Sequence, residues 1–131
     1  MDKVRFAVVG LKHGQSHVHT VLDSERAELV GLCDLDRALA GQVQDSIHQK
    51  IGKEQARGIR IFDDYRKLLA WNGFDAVVIS TPVMVHAEMA ELAVKAKKHV
   101  LLEKPMTVTI AEAESLCKAC RGAKTVFQVG Y

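Results

Sequence analysis

The chain has 131 residues, of which 48% are apolar, 26% charged and 5% aromatic, and its formal net charge is +2. A chain of this length buries roughly 68% of its unfolded surface, so one globular domain can form without disulfides or a structural metal. No basic cluster is larger than Lys95, Lys97 and Lys98, which gives no electrostatic case for a nucleic-acid partner. The apolar runs are far shorter than the ~20 residues that span a bilayer, so no membrane partner is expected.

Short runs rich in Val, Ile, Leu and Phe alternate along the chain with segments of helical periodicity. The predicted strands are residues 4–9, 27–33, 59–62, 76–80, 100–102 and 125–129. The predicted helices are residues 16–24, 36–52, 65–71, 83–97 and 110–121, with Asp64 and Thr109 as N-caps. Parallel neighbours need a crossover that is normally a helix, so the alternation predicts an α/β fold with a doubly wound parallel sheet. Its strands are expected to be buried on both faces.

The three cysteines are Cys33, Cys117 and Cys120, in a sequence that begins with no signal-peptide pattern. We therefore expect a cytoplasmic protein with free thiols. Cys117 and Cys120 have a C-x-x-C spacing, but they fall near the C-terminal end of the last predicted helix. A redox pair needs its first thiol at a helix N-terminus, so this pair is not interpreted as a redox site.

The turn after the first strand is the first candidate ligand site, because doubly wound sheets bind ligands beyond the carboxyl ends of their strands. Gly10 is followed there by Lys12, His13, Gly14 and Gln15, a predicted loop that leads into a helix whose N–H groups can hold a pyrophosphate. The dinucleotide motif G-x-G-x-x-G, laid on Gly10, puts Lys12 and Gln15 at the second and third glycines. Gly14 is either a displaced glycine or a turn residue, so this loop alone leaves a phosphate role open.

Asp34 directly follows the second strand. Its separation from Gly10 along the sequence is close to that expected of the carboxylate that binds the adenosine ribose. The alternative is a helix cap. A carboxylate at this position repels a 2′-phosphate and favours NAD over NADP. Arg37, three residues later, weakens that preference because an arginine can bind such a phosphate.

Polar residues and prolines follow the fourth and fifth strands. They are Ser80, Thr81 and Pro82 after the fourth strand, and Glu103, Lys104 and Pro105 after the fifth. Pro105 biases Lys104 towards an extended conformation at the sheet edge. A lysine placed there beside a carboxylate is a candidate proton donor or substrate clamp, and a surface ion pair is the alternative.

These motifs resemble the N-terminal half of the glucose-fructose oxidoreductase, inositol dehydrogenase and MocA-like family of NAD(P)-dependent sugar and polyol dehydrogenases. The resemblance covers residues 1–131 and rests on three motifs in order. The motifs are Thr81-Pro82-x-x-x-His86, Glu103-Lys104-Pro105 followed by Thr109, and Gln128-Val129-Gly130-Tyr131. It implies a Rossmann fold with strand order 3-2-1-4-5-6 and NAD as the cofactor, with NADP less favoured.

The resemblance also implies roles for single residues. Lys104 would be the catalytic residue beside the nicotinamide, and Asp34 would contact the ribose. Thr81, Pro82 and His86 would line the nicotinamide pocket. The remaining candidates for cofactor binding are Gly10, Lys12, His13, Gly14, Gln15, Arg37, Ser80 and Glu103.

The sequence departs from the family pattern at several points. Lys12 replaces the second glycine of the loop, and Val83 stands where an asparagine often follows the proline. The family's second α/β domain, which carries the substrate pocket, is absent from residues 1–131. We therefore expect the dinucleotide-binding half of an oxidoreductase that transfers a hydride between a sugar, polyol or related secondary alcohol and nicotinamide. Alone it should be inactive and form homo-oligomers.

Two other interpretations remain open. One is a stand-alone, non-catalytic module that binds or senses NAD(H). The other is a metal site formed by His13, His17 and His19, of which His13 and His17 have i, i+4 spacing that chelates only if His13 is helical. We favour loop or surface histidines and no metal.

Overall fold

The computed structural model describes residues 2–131 as a six-stranded parallel sheet with helices on both faces. The strands are β1 (Val4–Val9), β2 (Ala27–Cys33), β3 (Arg60–Phe62), β4 (Ala76–Ile79), β5 (His99–Leu102) and β6 (Phe127–Val129). The α-helices are α1 (Leu11–Asp23), α2 (Arg37–Ile51), α3 (Lys53–Arg57), α4 (Tyr65–Ala70), α5 (His86–Lys95) and α6 (Ile110–Arg121). The strand order β3-β2-β1-β4-β5-β6 confirms the predicted doubly wound sheet.

Two apolar cores lie on opposite faces of the sheet. Helices α1, α2 and α3 bury their apolar residues on one face, and α4, α5 and α6 bury theirs on the other. All four residues of β4 are buried, whereas the edge strands β3 and β6 are partly exposed. The prediction of strands buried on both faces is therefore right at the centre of the sheet and wrong at its edges.

The first helix begins earlier than predicted. Gly10 has φ +85°, and this left-handed conformation turns the chain directly from β1 into α1, so that residues 11–15 are helical and not a loop. Similarly, Gly52 ends α2 with φ +88° and is followed by α3, which was not predicted. The predicted helix 83–97 begins with a 3-10 turn at Val83–Val85 before α5.

Both predicted N-caps are confirmed. The Asp64 carboxylate accepts hydrogen bonds from the N–H groups of Arg66 and Lys67 at the start of α4. Thr109 forms a capping box with Glu112 at the start of α6, in which each side chain accepts from the other residue's N–H group. These caps satisfy helix N–H groups that have no partner within the helix.

Polar side chains near the amino-terminal ends of the strands, opposite the carboxyl ends, form hydrogen bonds within the domain. The N–H group and the guanidinium of Arg5 both donate to the Asp75 carboxylate at distances of 2.8 to 3.1 Å. Lys98 is buried, and its ammonium group donates to the Phe74 carbonyl at 2.8 Å and lies over the Phe74 ring. Desolvation lowers the Lys98 pKa. These contacts hold the segment before β4.

No helix within residues 2–131 has the length and apolar character that a membrane crossing requires. The three cysteines are free: Cys33 is buried, Cys120 is half-buried and Cys117 is exposed. Burial raises the Cys33 pKa to about 12, so this thiol stays protonated at neutral pH.

Candidate functional site

A cleft of about 740 Å³ opens at the carboxyl ends of β1, β2 and β4. The predicted site residues that line it are Gly10, Lys12, His13, Asp34, Ser80, Thr81 and Pro82. Those outside its lining are Gly14, Gln15, Arg37, His86, Glu103 and Lys104. The structure therefore gathers the candidates from the first, second and fourth strand ends around one space, and leaves those of the fifth strand beside it.

Gly10 brings the turn after β1 against the end of β4. Its N–H donates to the Cys33 carbonyl at 3.0 Å, which ties the turn to β2 as well. A Cβ atom at Gly10 would lie 2.6 Å from the carbonyl carbon and oxygen of Ser80, and 2.8 Å from the Thr81 nitrogen. With φ at +85°, both the close approach and the backbone conformation require glycine.

Gly14 lets α1 pack closely on the sheet. A Cβ atom there would lie 3.0 Å from Val8 Cγ1 and 3.4 Å from Ser80 Cβ. Close packing of helix on strand is the role of the third glycine in the dinucleotide motif. Gln15, which the motif placed at that position, is exposed instead. Gly14 therefore takes the place of the third glycine, one residue earlier than in the complete motif, and Gln15 does not.

Asp34 receives hydrogen bonds from two backbone N–H groups. Leu11 donates to Asp34 Oδ2 and Asp36 donates to Oδ1, both at 2.8 Å. The carboxylate therefore holds the start of α1 and the turn before α2, whereas the N-cap of α2 is Asp36 and not Asp34. Each carboxylate oxygen accepts more than one hydrogen bond, so Asp34 can also accept from a ligand hydroxyl in the cleft.

The start of α1 lies at the cleft. The first turn of any helix has N–H groups with no acceptor inside the helix. That of Leu11 is used by Asp34, and the next two belong to Lys12 and His13, which both line the cleft. With the helix dipole and the Lys12 ammonium, this end of the cleft is suited to an anion.

Arg37 lies beside the cleft in an ion pair. Its Nε donates to Asp63 Oδ2 at 2.7 Å, and its Nη2 contacts the same oxygen. The guanidinium holds the Asp63 pKa below its usual range. Asp63 follows β3, so the pair joins the turn after β3 to the start of α2. Neither the pairing nor its position could be read from residue spacing.

His17 and Glu103 connect α1 to the end of β5. The His17 Nε2 and the Glu103 Oε1 lie 2.6 Å apart, and this hydrogen bond is the main cause of a lowered Glu103 pKa. The second carboxylate oxygen of Glu103 accepts from the Lys104 N–H at 3.1 Å. Lys104 itself is exposed, and its peptide bond to Pro105 is cis. The contact thus holds the residue that precedes the predicted catalytic lysine.

His86 is 1% exposed and does not line the cleft. Its Nδ1 lies 2.8 Å from the Pro105 carbonyl oxygen, and its Nε2 lies 2.8 Å from that of Thr81. A carbonyl oxygen only accepts, so a neutral ring donates to one of the two at a time, and the imidazole lies between the turns after β4 and β5. The side chain expected to line a nicotinamide pocket is instead a buried support beneath Thr81 and Pro105.

Several cleft residues were missed by the sequence analysis. They include Leu35, Tyr65, Met84 and Met89. Leu35 is 90% exposed and Met84 72% exposed, and they present apolar surface at the cleft. The Tyr65 hydroxyl donates to the Met89 carbonyl at 2.7 Å, and burial raises the Tyr65 pKa. Leu35 lies in the turn before α2 and Met84 in the 3-10 turn before α5, and no residue pattern marks either as a cleft residue.

The histidine interpretation of a metal site is not supported by the geometry. His13 is helical after all, which gives His13 and His17 the spacing that chelation needs. However, His17 is bonded to Glu103, and residues 2–131 contain no group of three His, Cys, Asp or Glu side chains arranged to hold a metal ion.

Comparison with known proteins matches this chain to one protein family. Residues 4–131 match the GFO_IDH_MocA family, described as an oxidoreductase family with an NAD-binding Rossmann fold. A protein of Shewanella baltica named glycosyl hydrolase family 109 protein is 34% identical over 113 residues, which cover 86% of this chain and 25% of that protein. A protein of the same family name from Akkermansia muciniphila is 33% identical, over 86% of this chain and 24% of its own. The chain spans about a quarter of these relatives.

Solved structures share the fold. The WlbA dehydrogenase of Bordetella pertussis, solved with NADH and UDP-GlcNAcA, superposes with a TM-score of 0.79 at 29% identity, over 97% of this chain and 36% of that one. An oxidoreductase of Agrobacterium radiobacter, solved with NAD+, L-tartaric acid and magnesium, gives 0.85 at 25% identity, over 98% of this chain and 35% of that one. The family match confirms the resemblance inferred from the motifs: this chain belongs to the GFO_IDH_MocA oxidoreductase family, as its NAD-binding Rossmann domain.

Proposed function

We propose that this domain holds NAD(H) in the cleft between β1, β2 and β4, and that the whole protein transfers a hydride between nicotinamide and a secondary alcohol of a sugar or polyol. The observation that carries the proposal is the Gly10 turn. It places the start of α1, with its N–H groups, at the cleft and directly against the end of β4. A pyrophosphate fits this arrangement because backbone donors, helix dipole and the Lys12 ammonium all favour an anion.

The adenosine half of the cofactor would lie towards β2. Asp34 has carboxylate oxygens that can accept from ribose hydroxyls while they keep their bonds to Leu11 and Asp36. Leu35 and Met84 offer apolar surface for an adenine ring. The Asp34 charge, with Arg37 already paired to Asp63, supports NAD over NADP.

The nicotinamide half would lie towards the ends of β4 and β5, near Thr81, Pro82 and Lys104. The bound cofactor supplies or accepts the hydride. The amine of Lys104, in its neutral form, is proposed to accept the hydrogen bond of the substrate hydroxyl and take its proton, with Glu103 fixed beside it by His17. The remainder of the substrate pocket is proposed to come from a second domain, since the chain spans about a quarter of its curated relatives.

The sugar or polyol class rests on the motif resemblance and on relatives. The WlbA structure contains a nucleotide sugar acid with NADH, and the Agrobacterium structure contains tartaric acid with NAD+. Free cysteines support a cytoplasmic location for the whole protein. For this domain by itself, self-association is proposed to cover the surface that the companion domain would contact in the whole protein.

The names of the Shewanella and Akkermansia relatives support a second candidate, in which the whole protein hydrolyses a glycoside. Assays of the whole protein separate the two. Net formation of NADH from a polyol supports the oxidoreductase, whereas release of nitrophenol from nitrophenyl glycosides without net NADH supports the hydrolase.

Calorimetric titration of this chain with NADH and NADPH tests cofactor binding. We expect NADH to bind more tightly than NADPH. Absence of heat with NADH at millimolar concentration, on a folded sample, would contradict the proposed site. Turnover of a polyol by this chain alone would contradict the proposal that a second domain completes the pocket. It would also argue against the hydrolase and against a non-catalytic sensing module.

A further inference from the structure

We propose that Asp63 is a determinant of cofactor specificity, because it holds Arg37 away from the position where a 2′-phosphate would lie. The inference rests on the proposed binding of NAD(H) in the cleft. It adds a residue that lies outside the cleft lining and that none of the sequence motifs includes.

Arg37 starts α2, in the same turn as the carboxylate proposed to bind the ribose. Asp34 Oδ1 accepts the Asp36 N–H at 2.8 Å, and Arg37 follows directly. A guanidinium at this place is the group that would recognise a 2′-phosphate, since arginine matches phosphate oxygens with two parallel N–H donors. The Arg37 side chain is 80% exposed, so packing does not confine it.

The contact that does confine Arg37 is the one with Asp63. Nε and Nη2 both point at Asp63 Oδ2, and these are two of the donors that a phosphate would use. The Asp63 side chain is 31% exposed, less than half as much as its partner, so the carboxylate is the more fixed member of the pair. The lowered Asp63 pKa keeps it charged at all physiological pH values.

Asp63 opposes a 2′-phosphate in two ways. It occupies the guanidinium, and it adds a negative charge to a region that already contains Asp34, Asp36 and Asp64. Asp36 and Asp64 accept N–H groups as helix caps through Oδ1, and within residues 2–131 the ion pair of Arg37 is with Asp63. Removing Asp63 would therefore release Arg37 and reduce the repulsion together.

The competing explanation is that the pair only braces the turn after β3 against the start of α2. The two explanations differ in what changes when Asp63 is removed. A brace affects the stability of the domain and leaves the ratio of NADPH to NADH affinity as it was. A specificity determinant changes that ratio, and the change requires Arg37.

The experiment measures the dissociation constants of NADH and NADPH for this chain and for four variants. They are Asp63→Ala, Asp63→Asn, Arg37→Ala and the double variant Asp63→Ala/Arg37→Ala. Asp45→Ala removes an exposed carboxylate elsewhere on α2 and controls for net charge. Asp63→Asn removes the charge but keeps an oxygen that can accept from Arg37, and thermal unfolding checks that each variant folds.

We expect Asp63→Ala to raise the affinity for NADPH relative to NADH by up to about fivefold, the largest factor that corresponds to one exposed ion pair. Asp63→Asn should give a smaller gain, and the double variant should give none. An unchanged ratio in Asp63→Ala, or an equal gain in the double variant, overturns the inference while NADH binding by the wild-type chain still supports the proposed function. Absence of NADH binding by the folded wild-type chain overturns both.

Discussion

His17 and Glu103 are 86 residues apart in sequence, yet the imidazole Nε2 and the carboxylate Oε1 lie 2.6 Å apart. The pair joins the middle of α1 to the residue before Lys104, so the helix that begins at the proposed pyrophosphate site also fixes the turn of the proposed catalytic lysine. Both side chains are less than one-third exposed, which strengthens the hydrogen bond relative to one in open solvent.

Replacing His17 by alanine should raise the pKa of Glu103 towards its ordinary value, because the hydrogen bond from His17 is the largest cause of its lowering. Titration of the glutamate carboxyl carbons by NMR measures this directly. His19→Ala, on an exposed position of the same helix, is the matched control and should leave Glu103 unchanged. An unaltered Glu103 titration in His17→Ala would show that the contact does not form in solution.

The sheet could be predicted because each strand and each helix is indicated by a short, continuous stretch of sequence. Each buried strand is a short apolar run between turn residues, and the order of alternation requires crossovers. For the cleft, only the strand ends that surround it could be predicted. Which side chains meet there depends on contacts between distant elements, as His17 with Glu103 and Arg37 with Asp63 show. His86 shows the same limit: its motif position was recognised, but its burial beneath two turns was not.

Gly10→Ala should destabilise the domain, because it combines a left-handed backbone, which costs a non-glycine residue roughly 1–2 kcal/mol, with a Cβ atom 2.6 Å from Ser80. We expect a total loss above about 2 kcal/mol in urea unfolding. Gly41→Ala provides the control, since its Cβ would meet nothing within 4 Å inside α2. That substitution should stabilise the domain by about 0.5–1 kcal/mol. Equal stability of the two variants would contradict the close approach of the Gly10 turn to β4.

The Arg5 and Asp75 pair should make part of the stability depend on pH. Arg5 lowers the Asp75 pKa in the folded chain, chiefly through the side-chain hydrogen bond. The unfolded chain, with an Asp pKa of about 3.9, therefore takes up the proton first as the pH falls. The contribution is complete above about pH 4 and is lost as the pH falls through the lowered folded value.

Urea unfolding of the wild-type chain and of Asp75→Asn checks this pH dependence. The variant should be less stable at pH 7, and the difference between the two should shrink as the pH is lowered towards 2. Asp45→Asn, an exposed position on α2, should behave as the wild type does at each pH. A difference that stays constant from pH 7 to pH 2 would exclude the Asp75 titration as its cause.

Asp34→Ala should weaken NADH binding by about ten- to a hundredfold, the range that corresponds to 1.5–3 kcal/mol for hydrogen bonds to a charged acceptor. The same substitution should also lower stability, because the N–H groups of Leu11 and Asp36 lose their acceptor. Calorimetry therefore has to be accompanied by thermal unfolding. A variant that is folded and binds NADH as tightly as the wild type would show that Asp34 serves only to accept these two backbone N–H groups.

Lys104→Ala should reduce kcat by about a hundredfold or more in a protein that contains both this domain and the proposed substrate domain, which is the usual effect of losing an acid or base group. The fold should be insensitive to the change because the side chain is exposed. Lys124→Ala, also exposed and remote from the cleft, is the control for loss of a lysine charge. If Lys104 takes the hydroxyl proton, then kcat falls while the KM for NAD+ stays within a few-fold of its original value. If kcat survives and the KM for NAD+ rises instead, Lys104 binds the cofactor, and the proton must be taken by a group in the second domain.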